Sequence, residues 1–202
     1  QAFYKQYYQP DNATLIVSGR FDAAQVLQWV AASFGVIPKP TRTLPALYTL
    51  DSAQDGERQV TLRRSGGAPQ LLAAYHVPAG SDPDFAPVLV LAQVLGSAPS
   101  GRLYQALVET KRAAAVWSNT YQLYQPSLLL AGAQLRREDT LAVAQAAFLA
   151  ALDSASQRPP TEEEVARAKQ TILKNIELSL TQTDAVGVAL SEWASRGDWR
   201  LI

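Results

Sequence analysis

The chain has 202 residues, 48% of them hydrophobic, and its 18 Lys and Arg residues balance 18 Asp and Glu residues. This length and apolar content suffice for a domain with a hydrophobic core, which excludes an intrinsically disordered chain. Zero net charge provides no long-range field to gather a polyanion such as nucleic acid. With no Cys and one His, disulfide frameworks, cysteine nucleophiles and sites needing two imidazoles are excluded as well.

The first 37 residues predict a helix, a strand and a second helix. Residues 1–8 have the pattern of a helix end, and residues 13–18 form a short β-prone run that predicts a strand. Asp22 predicts the N-cap of a helix that Gly35 ends. Because residues 1–37 are too few to enclose a core, we expect them to be the C-terminal tail of a preceding lobe in a longer protein.

Residues 38–57 mix Pro and Gly with Thr, Ser and Asp and show no sustained periodicity, which predicts a linker. A second unit, residues 58–202, then begins with two predicted strands. They cover residues 59–63 and 71–77 and are joined by a hairpin turn at Gly66-Gly67.

The rest of the second unit predicts helices and strands in pairs. We expect one helix starting at Asp82-Pro83 and a second carrying Leu103 and Leu107, followed by strands over 115–123 and 127–135. Three more helices are expected to start at Asp139 or Thr140, at a capping box from Thr161 to Glu164, and at about Asp184. This order predicts an α+β fold, a two-layer sandwich in which a mostly antiparallel sheet carries helices on one face. Apolar runs fall far short of the roughly 20 residues that span a bilayer, so we expect no direct membrane insertion.

Three stretches of the sequence resemble pitrilysin/insulinase family zinc metallopeptidases. Residues 7–19, YYQPDNATLIVSG, are similar to the segment that closes the family's first lobe. Residues 75–109, from YHVP to SGRLYQALVE, look like the family's second, inactive lobe, and residues 197–201, GDWRL, look like its long bacterial members. The resemblance implies the metallopeptidase LuxS/MPP-like fold for the second unit.

The resemblance implies a noncatalytic lobe that helps a catalytic lobe enclose a chamber for peptides or small unfolded proteins. In the family, an inverted His-x-x-Glu-His motif and a later Glu hold zinc on the first lobe, and this chain has no such motif. We therefore expect no catalytic residue, no metal ligand and no cofactor in this chain, and zinc in the parent protein. The expected partners are the catalytic lobe, in the same chain or in a partner subunit, and the parent's peptide substrate. Bacterial relatives suggest the periplasm as the compartment.

Two residues are candidates for contact with substrate or with the neighbouring lobe, Arg102 and Tyr104, although each also has a structural interpretation as a helix anchor or packing residue. The single His76 is more typical of a local hydrogen bond than of catalysis. Some family members hold the substrate backbone with an Arg and a Tyr, and alignment places these at Val108 and Ala115. Both residues are replaced here, so the resemblance implies no substrate clamp in this lobe.

Two alternatives remain open on the sequence. The chain could belong to a scaffold or partner subunit that descends from the same peptidases and acts through protein contacts. The deciding feature would lie upstream of Gln1, where an intact His-x-x-Glu-His favours the enzyme. The other alternative is an unrelated α+β binding module. A fold without a sheet of at least four strands, backed by the helices between Asp82 and Ser195, would favour it.

Overall fold

The computed structural model describes residues 1–46, 53–136 and 140–201. The helices are α1 (Ala2–Tyr7), α2 (Ala23–Phe34), α3 (Phe85–Gly96), α4 (Leu141–Gln157), α5 (Glu162–Leu180) and α6 (Thr183–Ser195). The strands are β1 (Gln70–Val77), β2 (Ala115–Thr120) and β3 (Ser127–Gln134), and Tyr104–Val108 form a π-helical turn. Thr140 is the N-cap of α4, whereas the alternative cap, Asp139, and part of the predicted linker, residues 47–52, lie outside the described residues.

The described strands form one antiparallel sheet in the order β1-β3-β2. In this register Leu71 of β1 and Val116 of β2 both lie opposite Ala133 of β3, so the side chains of these three residues share one face of the sheet. This combination of an antiparallel sheet and packed helices confirms the predicted α+β fold. The sheet has three strands in the described part of the chain, fewer than the four expected from the sequence, because residues 59–63 are not paired.

The hydrophobic core lies between one face of the sheet and the helices α3 and α4. The central strand β3 contributes alternate residues that are almost fully buried, Leu129, Ala131 and Ala133. Leu103 directly precedes the π-helical turn and Leu107 lies within it. Neither side chain has exposed surface, which confirms their predicted inward position. Further core residues come from α3 and α4: Leu95, Ala144, Phe148, Ala151 and Leu152.

The end of α3 lies directly against β2, and glycine makes this approach possible. A Cβ atom added to Gly96 would collide with the backbone nitrogen of Ser118. This close contact fixes the start of the loop that leads from Ser97 to Arg102. The helix therefore positions the segment on which the sequence placed its candidate contact residues.

The N-terminus of α5 is the predicted capping box. The Thr161 hydroxyl accepts from the backbone N–H of Glu164 at 3.2 Å, and the Glu164 carboxylate accepts from the backbone N–H of Thr161 at 2.8 Å. Two amide groups that the helix itself leaves unpaired are thereby satisfied. The predicted box is confirmed.

Two predicted strands are not formed. Residues 13–18 instead run across α6, where Ser18 comes so close that a Cβ atom on Gly187 would lie 2.6 Å from its Oγ atom. Residues 59–63 make no ladder with any described strand, and their apolar side chains Val60 and Leu62 are exposed. Both segments have strand-like composition, and neither pairs with a strand in the part of the chain that the structure describes.

Candidate functional site

Arg102, one of the two predicted contact residues, is bound within its own chain. Its Nε and Nη2 atoms donate to the two carboxylate oxygens of Glu164, each at 2.8 Å. Its Nη1 atom donates to the carbonyl of Arg158 at 2.7 Å, and Nη2 also donates to the carbonyl of Pro159 at 3.3 Å. The guanidinium thus ties the loop after α3 to the turn before α5, as the structural interpretation of this residue anticipated.

The Arg102–Glu164 pair shifts the pKa values of both of its side chains. Hydrogen bonding to the Arg102 guanidinium, aided by the backbone of Thr161, lowers the pKa of Glu164 from 4.5 to about 2, against the opposing effect of burial. The same hydrogen bond raises the pKa of Arg102. Because both side chains are largely shielded from solvent, this bidentate pair is worth more than an exposed ion pair.

Tyr104 is half-buried on the π-helical turn, two residues beyond Arg102. The two positions aligned with the family's substrate clamp lie nearby in the chain: Val108 is the last residue of this turn and is half-buried, and Ala115 is the exposed first residue of β2. Neither an alkyl nor a methyl side chain can hydrogen-bond a peptide backbone. The contact roles of Arg102 and Tyr104 stay predictions.

The residues described do not fit a zinc site. His76, the single imidazole of the chain, is exposed on β1. Across residues 1–46, 53–136 and 140–201, no three His, Cys, Asp or Glu side chains come together in a group that could hold a metal ion. A zinc centre in proteins needs three or four such ligands, so no catalytic step through zinc can be built on this set.

Many apolar side chains of residues 1–37 are exposed. We call this set the N-terminal apolar surface, and it consists of Phe3, Tyr4, Tyr8, Leu15, Val17, Phe21, Leu27, Trp29, Phe34, Val36 and Ile37. Each of these side chains is at least 45% exposed, and neither α1 nor α2 contains a buried residue. Exposed apolar side chains in this number are typical of a segment that contacts another surface.

Local capping and packing nevertheless hold this segment in place. The Asp22 carboxylate accepts from the backbone N–H of Gln25 at 2.8 Å, which confirms the predicted N-cap of α2. Asp11 and Arg42 form a bidentate ion pair at 2.8 and 2.9 Å that joins the turn after α1 to the start of the predicted linker. These contacts fix the start of α2 and the turn after α1, between which part of the N-terminal apolar surface lies.

The sheet face away from the helices carries a second apolar patch that the sequence analysis missed. Leu72 is 65% exposed and Trp117 is 40% exposed, and both side chains lie on this face with Leu130. Trp117 lies flat against Gly132 of the central strand, where an added Cβ atom would collide with the indole ring. A glycine inside a predicted strand was the available sequence signal for this close approach.

An apolar cavity opens between the helix-covered face of the sheet and the helices α3 and α4. It has a volume of about 540 Å³, and Tyr75, Val77, Leu91 and Asp153 are among the residues that line it. Burial raises the pKa of Tyr75, with smaller contributions from the nearby charges of Asp153 and Glu57. Sequence reasoning had placed no function at this cavity.

No helix among the described residues is long and apolar enough to cross a lipid bilayer. This agrees with the short apolar runs of the sequence.

Comparison with known proteins identifies similar chains over most of the sequence. The family model described as the Peptidase M16 inactive domain matches residues 1–172. The inactive peptidase domain of a candidate zinc protease from Bordetella parapertussis is 43% identical, with a TM-score of 0.63, over 70% of this chain and 78% of that chain.

Two proteins of Helicobacter pylori extend the comparison. The zinc protease PqqE is 30% identical over 131 residues, which are 63% of this chain and 30% of that protein. The fold of a crystallised protease from the same species matches 98% of this chain and 49% of that chain, with a TM-score of 0.89 and 24% identity. The matched region is thus less than half the length of either Helicobacter protein.

Proposed function

Because the chain belongs to the Peptidase M16 inactive domain family, we propose that it is the noncatalytic lobe of a zinc-dependent metalloendopeptidase. In this proposal residues 1–37 end the preceding catalytic-type lobe, residues 38–57 are the linker, and residues 58–202 are the inactive lobe. The parent protein would carry zinc on the preceding lobe. Together the two lobes would enclose a chamber that admits peptides and small unfolded proteins and excludes folded ones by size.

The N-terminal apolar surface is the observation that carries this proposal. The chain exposes 14902 Å² of accessible surface, whereas a monomeric protein of its mass exposes about 9,300 Å². The exposed apolar side chains of α1 and α2 contribute to this surface. Burying apolar surface contributes roughly 25 cal/mol of free energy per Å². Contact between α2 and the preceding lobe would therefore be stabilised by the side chains that are exposed here.

The lobe's own residues support a noncatalytic role. Its single His is exposed on β1, Arg102 is bound by Glu164, and alanine and valine occupy the positions of the family's substrate clamp. In this proposal the lobe offers surface and shape to a peptide, and the zinc lies on the preceding lobe.

The proposal is tested by producing the chain and the lobe that precedes it in the parent protein as two polypeptides. We expect the chain alone to bind no zinc and to cleave no fluorogenic peptide, and the mixture to cleave the peptide in a chelator-sensitive way. Leu27→Glu, on the exposed face of α2, should weaken association of the two polypeptides at least tenfold. Leu173→Glu is the matched control, because Leu173 is a similarly exposed leucine on α5.

Stoichiometric zinc and chelator-sensitive cleavage by the chain alone would refute the proposal. Equal association of the Leu27→Glu and Leu173→Glu variants would remove the assignment of residues 1–37 to the preceding lobe.

A scaffold or partner subunit derived from the same family is the second candidate, favoured by Val108 and Ala115 in place of the clamp residues. The two candidates differ in the preceding lobe, where a scaffold would have lost the His-x-x-Glu-His motif. Zinc content of the purified parent protein distinguishes them.

A further inference from the structure

The apolar cavity between the helix-covered face of the sheet and the helices α3 and α4 has the size of a small-molecule site. Its volume of about 540 Å³ falls within the range of about 300–1,000 Å³ that ligand pockets occupy. A cavity of about 150 Å³ is enough for one benzene ring, so this one has room for a body of two fused rings. Its walls are aliphatic and come from both helices and from β1 and β3: Val77, Val88, Leu91, Leu95, Leu129 and Leu152.

The exposure of Tyr75 shows independently that the chain does not fill this end of the sheet. Tyr75 lies on the same face of β1 as Leu71 and Ala73, which pack against the core. The helix-covered face of a sheet is normally buried, yet Tyr75 is 44% exposed. The next residue on this face, Val77, is 8% exposed. The cavity therefore opens to solvent beside Tyr75.

Carboxylates lie at this opening, next to the Tyr75 phenol. Asp153 lines the cavity and is exposed, and its charge and that of Glu57 add to the effect of burial in raising the pKa of Tyr75. No ion pair among the residues that the structure describes neutralises either carboxylate. Ser156 and His76 complete the polar part of the described lining, which includes no Lys or Arg.

An apolar body with a positive charge at one end is the ligand that matches these walls and this opening. Apolar walls favour a hydrocarbon body, because its removal from water is favourable. Negative charges without a cationic partner attract an ammonium group and repel a carboxylate. An amine without a carboxylate is therefore better suited to this cavity than a free amino acid, which carries both groups.

We propose that this cavity is a binding site for a small cyclic amine, with its ring body between α3, α4 and the sheet and its ammonium group at Asp153 and Glu57. The cavity shares no residue with the N-terminal apolar surface or with the Arg102–Glu164 pair. The inference therefore goes beyond the proposed function, which gives this lobe no small-molecule ligand. A ligand that binds only the folded chain also stabilises it.

Three naphthalene derivatives test the proposal on the full 202-residue chain. They are 1-naphthylmethylamine, 1-naphthylmethanol and 1-naphthoate, which share the ring body and differ in charge. At pH 7 we expect the amine to bind about tenfold more tightly than the naphthoate, with the alcohol between them, in calorimetric titrations. The largest amide shifts in NMR spectra should occur at Tyr75, Leu91 and Leu152.

Three substitutions separate the charge from the space. Asp153→Asn changes an exposed residue and should weaken binding of the amine about fivefold while leaving the alcohol unchanged. Glu177→Gln removes a negative charge from an exposed position of α5 and should leave all three affinities unchanged. Ala155→Phe, in the cavity wall, should weaken all three compounds, and circular dichroism checks that this variant is folded.

The proposal is overturned if the three compounds bind equally or if none binds at millimolar concentration. It is also overturned if Asp153→Asn and Glu177→Gln have equal effects on the affinity for the amine. Amide shifts confined to the N-terminal apolar surface would have the same consequence, because they would mean nonspecific binding to exposed apolar side chains.

Discussion

Residues 1–37 and residues 70–157 both contain apolar helices, yet only the second region buries them. Helices α1 and α2 have no buried residue, whereas α3 buries four and α4 buries five. Helix α2 has a side-chain N-cap at Asp22, while α3 and α4 have none. The comparison teaches that a cap and a helical pattern specify a helix locally, whereas burial requires a second surface, which the described residues do not give the first region.

The largest expected difference between the two regions is in the cost of removing an aromatic side chain. Phe148 is 2% exposed in the core, and Phe148→Ala should lower the free energy of unfolding by about 3–5 kcal/mol because it leaves a cavity. Urea denaturation followed by circular dichroism measures this. A loss below about 1 kcal/mol would mean that α4 is not fixed against the sheet.

The Arg102–Glu164 pair should make the second region sensitive to acid. The folded state lowers the pKa of Glu164 from 4.5 to about 2, so its stabilisation is fully present above about pH 4.5 and is lost as the pH falls toward 2. After solvent screening we expect this loss to be about 1–2 kcal/mol. The measurement is the free energy of unfolding against pH, compared with Glu164→Gln, whose profile should be flatter by that amount.

A matching acid dependence in the Glu164→Gln variant would show that other carboxylates, and not this pair, determine the profile.

A smaller effect is expected for the N-cap of the first region. Asp22→Ala removes the acceptor for the Gln25 amide and should reduce stability by about 1 kcal/mol. Asp22→Asn retains an acceptor and is the matched control, with most of that stability kept. Helix content of residues 23–34, measured by hydrogen exchange, should fall in the first variant only.

The smallest effect should come from an aromatic residue of the N-terminal apolar surface. Trp29 is 60% exposed, so Trp29→Ala should change the stability of this chain by less than about 0.5 kcal/mol. The same substitution should weaken binding of the preceding lobe substantially. A large loss of stability in the isolated chain would mean that Trp29 packs within it, and the contrast between the two regions would disappear.

The helices could be predicted from the sequence because their signals are local. The cap at Asp22 and the capping box at Thr161 and Glu164 involve residues three positions apart, and the structure confirms each. Strands 13–18 and 59–63 had equally strong local signals and are unpaired among the described residues, because a strand also needs a partner that its own residues do not specify. Predicted strand 71–77 formed as β1 beside the distant β3, and not beside the neighbouring segment 59–63.

The candidate site was predicted less completely, for the same reason. The sequence named Arg102 and gave it two possible roles, but its bonds to Glu164 connect residues 62 positions apart. The patch around Trp117 depends on Gly132 in the neighbouring strand, and the N-terminal apolar surface depends on which helix faces stay uncovered. These features arise from tertiary arrangement, which periodicity does not encode.

The double role of Glu164 has a consequence for how this turn can vary. Its carboxylate accepts from both Arg102 and the backbone of Thr161, while Arg102 also donates to the carbonyls of Arg158 and Pro159. Exchanging the two residues would restore opposite charges, yet an arginine cannot accept from an amide and a glutamate cannot donate to a carbonyl. The pair is therefore directional, and among related sequences the two positions should be lost together but not swapped.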